Sequence, residues 1–302
     1  MKLKSLFSIM KWTDLYLDTR AGKLLSDKRY LKLRFYSQMG KKLNLDSPRT
    51  FNEKLQWLKL YNRKPEYTVM VDKYLVRDYI KEQLGEEYLI PLLGVWDDPE
   101  DIDFDALPDK FVLKCNHNSG KGMYICKDKS KMDVEKVKRE LKAGLAEDYY
   151  IRTREWPYKD VPRKIIAEQY MTDSDEVDSF TDYKFYCFGE DVDSVMVCLE
   201  RNTGNPKFYF FDKNWQLKRY NKRGKAAPEG FTIPKPEKMD EMFEIAERLA
   251  KQIKSPYVRI DLYNSKGQPY FGEITFFPDS GLDPNRLPEI DIYFGDRTII
   301  DT

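Results

Sequence analysis

Residues 111–123 read FVLKCNHNSGKGM, bringing a cysteine, the chain's single histidine, two lysines and two glycines into one short stretch. Three chemistries suit such a set. Zinc would need further ligands, but Cys126, Cys187 and Cys198 offer no paired C-x-x-C spacing to complete Cys115 and His117. A Walker-type loop would need a glycine arch ending in Lys-Ser/Thr, and that is absent. What remains is a strand that hands Lys114 to a phosphate and runs into a glycine hairpin, Gly120, Lys121 and Gly122, able to fold over it. An ordinary hairpin turn with a solvated lysine is the alternative for this stretch taken alone.

A second constellation lies in RIDLYNSKGQPYFGEIT, residues 259–275. Strand alternation places Glu273 and Thr275 on one face, and a hairpin can bring Asp261 beside them. Two carboxylates without an equal number of basic partners suit a hard cation, and Mg²⁺ takes one or two carboxylates together with substrate phosphates. A solvated hairpin with outward charges is the plainer reading, yet FGEITFFP is otherwise apolar, which makes Glu273 an odd intrusion in a strand that looks buried. Lys73, Lys114 and Lys184 each pass singly for surface charges. Together they could neutralise a triphosphate held by that metal.

The elements that must position these residues follow from periodicity. Residues 2–42 are helical in period and strongly basic, with Leu3, Leu6, Phe7 and Met10 on one face. That segment suits either a helical arm packed on its own domain or peripheral contact with an anionic membrane face. SPRTFNEKLQWLKLYNR gives a helix with Thr50 or Asn52 as N-cap, and VDKYLVRDYIKEQLG a second ending at Gly85, which puts Lys73 at a helix start. YLIPLLGVWD reads as a buried strand. Further strands are expected in KFVLKC, MYICKD, KIIAEQYM, DYKFYCFGE, SVMVCLE and PKFYFFDKNWQL, with helices in DVEKVKRELKAGLAEDYY and PEKMDEMFEIAERLAKQI. The last two strands flank a turn at 264–267. The fold class is therefore α+β with largely antiparallel strands.

Composition narrows the function classes. The 302 residues are 41% hydrophobic and 34% charged, which describes a soluble globular chain. Lys+Arg 52 against Asp+Glu 51 leaves no global field for nucleic acid. Four scattered cysteines do not form a disulfide framework and fit a reducing, cytoplasmic setting. The N-terminal apolar stretch is broken by Lys11 and Asp14 without a cleavage site, and no run reaches membrane-spanning length.

The order of these motifs resembles the ATP-grasp superfamily, and more closely its TupA-like branch of teichuronopeptide and surface-polysaccharide biosynthesis. The blocks that carry the resemblance are SPRTFNEKLQWLKLY, VDKYLVRDYI, LPDKFVLKCNHNSGKG, REWPY, KIIAEQYM, DYKFYCFGE and VRIDLYNSKGQPYFGEITFFPDSG. The resemblance implies an ATP-grasp fold: a basic helical N-terminal arm (1–50), a pre-ATP-grasp α/β region (51–109), a lid subdomain (110–171) and a core with the Mg²⁺ site (172–302). It implies ATP and Mg²⁺ as cofactors. Lys73 and Lys114 would contact phosphates, with Gly120, Lys121 and Gly122 as lid. Glu168 and the backbone of Gln169, Tyr170 and Met171 would face adenine, and Glu176 the ribose. Lys184 would sit by the γ-phosphate, Asp261 and Glu273 would hold Mg²⁺, and Arg259 would stabilise the acyl phosphate. Where many such ligases carry Asn two positions after the glutamate, this chain has Thr275.

The implied activity is a carboxylate-amine ligase joining an amino acid or peptide to a uronic acid of a surface polysaccharide, working in the cytoplasm or at its membrane face. Its partners would be an acidic acceptor and an amine donor. Arg201, Arg259, Asn285 and Arg286 could clamp the acidic substrate. Competing readings are a sugar kinase on the same ATP site, a glycosyltransferase using DVD at 191–193 or DID at 101–103, and a binding module without catalysis.

Overall fold

The computed structural model describes residues 2–174, 181–200 and 205–301, with side chains from residue 9 onward. Glu176 and Arg201 therefore lie outside the described residues, as do the side chains of Leu3, Leu6 and Phe7.

The chain begins with three helices, α1 (Lys2–Asp18), α2 (Arg20–Lys23) and α3 (Asp27–Met39). Arg34 of α3 pins α1 by donating to the carboxylates of both Asp14 and Asp18. Gly22 closes the turn because a Cβ there would meet the Tyr16 carbonyl at 2.3 Å. Leu31 and Phe35 bury their side chains with Leu43 and Leu45.

Helix α4 (Phe51–Tyr61) starts at a capping box: the Thr50 hydroxyl accepts from the Glu53 amide while the Glu53 carboxylate accepts from the Thr50 amide. Its first residue, Phe51, meets Phe188, Tyr257 and Phe294 edge-on, so the helix is anchored in the main core from its N-terminus. The expected helix over 71–85 is two helices, α5 (Glu66–Val71) and α6 (Val76–Gln83). Asp72 causes the break. Its backbone is extended and its Oδ1 accepts from the amides of Tyr74 and Leu75, a side-chain turn that competes with helix.

Four strands form the smaller sheet, β1 (Leu92–Trp96), β2 (Phe111–Cys115), β3 (Met123–Cys126) and β4 (Ile165–Gln169), in the order β1-β4-β2-β3. All pairs are antiparallel. The stretch read as a buried strand supplies β1, which is an edge strand paired only to β4 and partly open to solvent. Helix α7 (Val134–Leu145) covers one face of this sheet through Val137 and Leu141. A short helix, α8 (Tyr149–Thr153), then leads into REWPY.

The larger sheet has six antiparallel strands: β5 (Asp182–Phe188), β6 (Asp191–Leu199), β7 (Lys207–Phe211), β8 (Leu217–Lys218), β9 (Val258–Ser265) and β10 (Gln268–Thr275). Their order is β10-β9-β5-β6-β7-β8. Between β8 and β9 come α9 (Lys222–Ala226) and α10 (Met239–Ile253). Met242, Phe243, Ala246, Leu249 and Ala250 of α10 recur at helical spacing and are buried against one sheet face. That leaves the other face for the charged residues. Helix α11 (Pro288–Arg297) closes the chain against α4, where Gly295 allows contact so close that a Cβ would lie 2.1 Å from the Arg49 carbonyl. The α+β class with antiparallel sheets and a helical N-terminal region is thus what forms.

Candidate functional site

The site is built on cross-strand pairs. In the large sheet Asp261 is opposite Glu273 on one side and opposite Lys184 on the other, and Arg259 is opposite Thr275. Directly opposed residues share a face, so one surface receives all five side chains. A register shift between Phe271 and Glu273 makes this possible, and Gly272 occupies it, since a Cβ there would strike the Tyr263 ring at 2.7 Å and the Asp261 carbonyl at 2.9 Å.

Hydrogen bonds tie the group together. Arg259 donates through Nε to Asp261 Oδ1 at 2.6 Å and through a terminal nitrogen to Oδ2 at 2.7 Å. Lys184 donates to Oδ2 at 2.6 Å. The same Arg259 nitrogen reaches Glu273 Oε1 and Thr275 Oγ1, each at 3.2 Å. Lys73 Nζ lies 3.9 Å from Glu273 Oε2. Burial alone would raise the Glu273 carboxyl, but the charges of Lys73, Arg259 and Lys184 pull it down to about 2. Burial in turn lowers the Lys73 ammonium, against the opposing pull of Glu273. The expectation of carboxylates without matching bases is corrected here: Asp261, Glu273 and Asp182 stand among Lys73, Lys184 and Arg259, and two of these cations come from β5 and the α5–α6 break rather than from neighbouring sequence.

The break at Asp72 positions Lys73. Its amide donates to the Asn116 carbonyl and its Nζ to the Asn118 carbonyl at 2.9 Å, fastening it beside the β2–β3 hairpin. Asn116 in turn donates to Asp72 at 2.8 Å. Within the hairpin, Gly120 (φ 90°) has open space around it, while Gly122 (φ 66°) lies so close to Cys115 that a Cβ would be 2.4 Å from its Sγ. Both need the left-handed region that glycine adopts freely. Lys121 is exposed.

On the small sheet Lys114 donates to Glu168 at 2.6 Å, and Arg77 of α6 pairs with the same carboxylate at 3.3 Å. Glu168 is therefore engaged by two cations, and Lys110 and Lys127 lie over the Tyr170 ring at 5.9 and 5.6 Å. Register puts Met123 opposite Lys114 and Ile125 opposite Val112, so Met123 and Ile125 share the Lys114 face, and both are about half exposed. An apolar face beside a charged one suits a flat heterocycle carrying phosphates. Sequence reasoning missed Arg77, Met123 and Ile125. Strand alternation in MYIC held the signal for the last two, whereas nothing local marked Arg77.

Among the described residues no group of three or more His, Cys, Asp and Glu side chains could hold a metal ion alone. The donor chemistry of Asp261, Glu273 and Thr275 still fits Mg²⁺, because all offer hard oxygens and the surrounding cations leave room for added anionic charge. The fit is to a cation arriving with phosphates. His117 and Cys115 stand apart from this: His117 is buried with Nε2 on the Glu147 carbonyl, and burial pushes the Cys115 thiol up to about 12. Arg286, a sequence candidate for clamping substrate, is buried over Phe51 and Phe294 and paired with Asp283 at 3.2 Å.

Two charged sheets facing a glycine hairpin define the nucleotide-gripping class of ligase fold known as ATP-grasp. Residues 53–299 match the family described as TupA-like ATPgrasp, and the chain belongs to that family. Comparison with curated proteins finds no match. Among solved structures, the chain is similar to D-alanine–D-alanine ligase from Bacillus anthracis complexed with ATP, with 15% identity over 69% of this chain and 54% of that one, and a TM-score of 0.41. It is similar to the same ligase from Helicobacter pylori, with 12% identity over 84% and 70% and a TM-score of 0.45. An L-amino acid ligase from Bacillus licheniformis gives 14% identity over 85% and 57%, with a TM-score of 0.44. The chain thus spans little more than half of the first and third of these proteins. Likenesses this distant carry no assignment of substrate.

Proposed function

We propose that the chain is an ATP-dependent carboxylate-amine ligase that joins an amino acid or peptide to an acidic acceptor, a uronic acid of a surface polysaccharide. The observation that carries this reading is the cluster of Lys73, Lys184 and Arg259 around Asp261 and Glu273, facing a lid that bears Lys114. In the reaction the acceptor carboxylate attacks the γ-phosphorus of ATP, giving an acyl phosphate and ADP. An amine then attacks the acyl carbon. The C–N bond forms, the C–O bond to phosphate breaks, and the amine nitrogen loses its proton.

Lys73 and Lys114 hold the phosphates, Gly120, Lys121 and Gly122 close over them, and the Met123–Ile125 face lies against adenine with the Gln169–Met171 backbone at its edge. Lys184 follows the γ-phosphoryl group as it transfers. Arg259 offsets charge on the acyl phosphate and the tetrahedral adduct, a donor fixed in advance by its bonds to Asp261. Asp261 and Glu273, with the Thr275 hydroxyl near them, would hold Mg²⁺, whose positive charge would offset that of the phosphates.

A glycosyltransferase would draw on the D-x-D matches. Here Asp193 accepts from Tyr293 at 2.6 Å and Asp103 accepts from the Asp105 and Ala106 amides, which are bracing roles. The test is ligand-dependent thermal shift: ATP with Mg²⁺ raises the melting temperature and UDP-sugars do not. A shift with UDP-sugar alone would overturn the reading. Formation of ADP with phosphate, rather than a phosphorylated sugar, separates the ligase from a kinase.

A further inference from the structure

Three of the sequence blocks contain residues that the nucleotide site leaves unused: Lys59 in LQWLKLY, Glu155 in REWPY and Ser280 in FFPDSG. The fold joins them. Lys59 Nζ donates to Ser280 Oγ at 2.8 Å and to the carbonyls of Thr153 and Ser280 at 2.9 Å, and Ser280 Oγ donates to Glu155 at 2.8 Å. Lys59 and Glu155 are almost wholly buried. Burial pulls the lysine down and pushes the glutamate up, each resisted by the other's charge. A buried pair like this is weak evidence for stability, since apolar residues of similar volume often serve as well.

What the network holds is a strained turn. Asp279 (φ 49°) and Ser280 (φ 56°) both occupy the left-handed region, which non-glycine residues keep only where their surroundings over-determine it. The turn presents Asp279 to a cleft of about 370 Å³ whose outer wall includes Asp18, Arg34 and Gln38 of the N-terminal helices. Arg152 lines the same cleft. Asp279 is exposed, makes no side-chain hydrogen bond or ion pair among the described residues, and lies within electrostatic reach of Asp283 as well as of Arg259, Arg286 and Lys184. Asp279 follows Thr275, the last residue of β10, by four positions, so the cleft adjoins the end of the nucleotide site that holds Thr275.

We propose that this cleft seats the amine co-substrate and takes an α-amino acid, its ammonium on Asp279 and its carboxylate on Arg152. Asp279 is the open acid, and Arg152, half exposed and lying over the Tyr149 ring at 4.9 Å, makes a side-chain hydrogen bond only through Nε, to Glu147, among the described residues. Arg34, by contrast, is spent on Asp14 and Asp18. Lys59 and Glu155 are positioning residues that act through Ser280. The outer wall lies outside residues 53–299, so selectivity among amino acids belongs to this chain's own N-terminal layer rather than to the family segment.

This inference rests on the ligase reading, and the experiment separates the two. The full chain is saturated with a non-hydrolysable ATP analogue and Mg²⁺, and each of the common amino acids is titrated singly by saturation-transfer NMR. At least one binds. Asp279→Asn, which tolerates the left-handed turn, and Arg152→Ala each weaken that binding about tenfold or more, the loss of one charge-assisted contact, while affinity for the analogue is unchanged. Ser280→Ala weakens amino-acid binding and Ser280→Asn, which keeps a polar side chain and tolerates the left-handed backbone, restores part of it, a rescue that a purely packing role would not show. No amino-acid binding beside normal analogue binding, or binding indifferent to Asp279 and Arg152, overturns the inference alone. Absence of analogue binding overturns the ligase reading and this inference with it.

A separate surface carries a second inference, independent of the ligase reading. Helix α1 has two apolar faces. Leu17 is fully buried on the face packed against α3, while Ile9, Trp12 and Tyr16 follow one another at helical spacing on the solvent side, with Leu15 beside them. They are 51%, 69%, 43% and 50% exposed, and Leu24 in the next turn is 80% exposed. The acids of this layer are consumed internally, Asp14 and Asp18 by Arg34 and Asp27 by Arg63 and Arg154. Lys11, Arg20 and Lys23 stand exposed without an ion pair among the described residues.

An apolar stripe beside free bases complements anionic headgroups over an acyl layer. We infer that this face docks on an anionic bilayer. In co-sedimentation, the full chain binds vesicles of phosphatidylglycerol with phosphatidylcholine, and binding falls as salt rises. Pure phosphatidylcholine retains little. Ile9→Ser with Trp12→Ser lowers binding about tenfold or more at little changed melting temperature, because both side chains are largely in solvent. No binding, equal binding to neutral vesicles, or binding untouched by the double change overturns the inference; the last two outcomes would fit an acid-bearing protein partner no better.

Discussion

In the large sheet Asp261 and Glu273 sit among Lys73, Lys184 and Arg259, with Asp261 and Arg259 withdrawn from water. In the N-terminal layer Asp14, Asp18 and Asp27 are tied to arginines while Lys11, Arg20 and Lys23 remain in solvent. Both regions gather basic side chains, but only the first holds its cations in fixed geometry. The difference lies in what each can recognise. A fixed cluster selects one anion by shape, whereas free lysines beside an apolar ridge respond to a charged surface of any detailed structure. Spread of charge is cheap in water; fixing it requires the sheet register and the Gly272 bulge.

The largest expected effect tests the fixed cluster. Glu273→Gln keeps the volume and the strand but removes a charge that the phosphates and their cation need, so turnover falls about a hundredfold or more. The melting temperature stays near that of the parent chain because Glu273 is partly open to solvent. Steady-state kinetics beside calorimetry checks both halves. Unchanged ATP consumption would break the comparison at its root. Asp261→Asn differs: the buried Asp261 accepts from both Arg259 and Lys184, so the change costs activity and also about 3 kcal/mol of stability, measured by denaturant unfolding. On the other side, Arg34→Ala in the N-terminal layer loosens α1 by about 1 kcal/mol and leaves ATP affinity intact.

A smaller effect sharpens the view of the lid. Gly122→Ala puts a Cβ 2.4 Å from Cys115 Sγ and forces alanine into a left-handed backbone. Two costs then add, one steric and one conformational, for about 2 kcal/mol together. Cys115→Ala in the same chain relieves part of the first only, since the Gly144 Cα still lies 3.0 Å from that Cβ. Thermal unfolding of the two single variants and the double variant reads the split, and full additivity would mean that the hairpin moves away instead.

Much of this was legible in the sequence because local pattern carried it. Alternation placed Glu273 with Thr275, the turn at 264–267 returned the strand past Asp261, and Thr50 announced α4. The reading failed where partners lie far apart in the chain. Lys184 meets Asp261 across 77 positions and Lys59 meets Ser280 across 221, and no periodicity encodes such contacts. The helix expected over 71–85 misled because its propensity is helical throughout, while a single side-chain turn at Asp72 redirects the backbone and delivers Lys73 to the site. Exposure was equally invisible: Met10 and Leu17 on one side of α1 and Trp12 on the other look alike as letters.

The smallest effect expected is close to none, and it asks whether burial by itself marks a functional group. All four cysteines are free and buried. Burial raises the Cys115 thiol from the ordinary 9.0 to about 12, and raises Cys126, Cys187 and Cys198 as well. None touches the charged cluster through a hydrogen bond; Cys115 donates to the Leu141 carbonyl and Cys187 to its near neighbour Phe185. At pH 8 the native chain should therefore react with a thiol reagent far more slowly than the urea-unfolded chain, which exposes all four. The sign of the linked stability follows. A thiol whose native value is raised keeps its proton after the unfolded chain has lost it, so its contribution is complete below pH 9 and is lost as pH climbs toward about 12. Cys115→Ser should flatten part of that alkaline loss and leave turnover nearly unchanged. Rapid labelling of the native chain at pH 8, or a large fall in activity on Cys115→Ser, would place a thiol among the working groups and erase the distinction between being buried and being used.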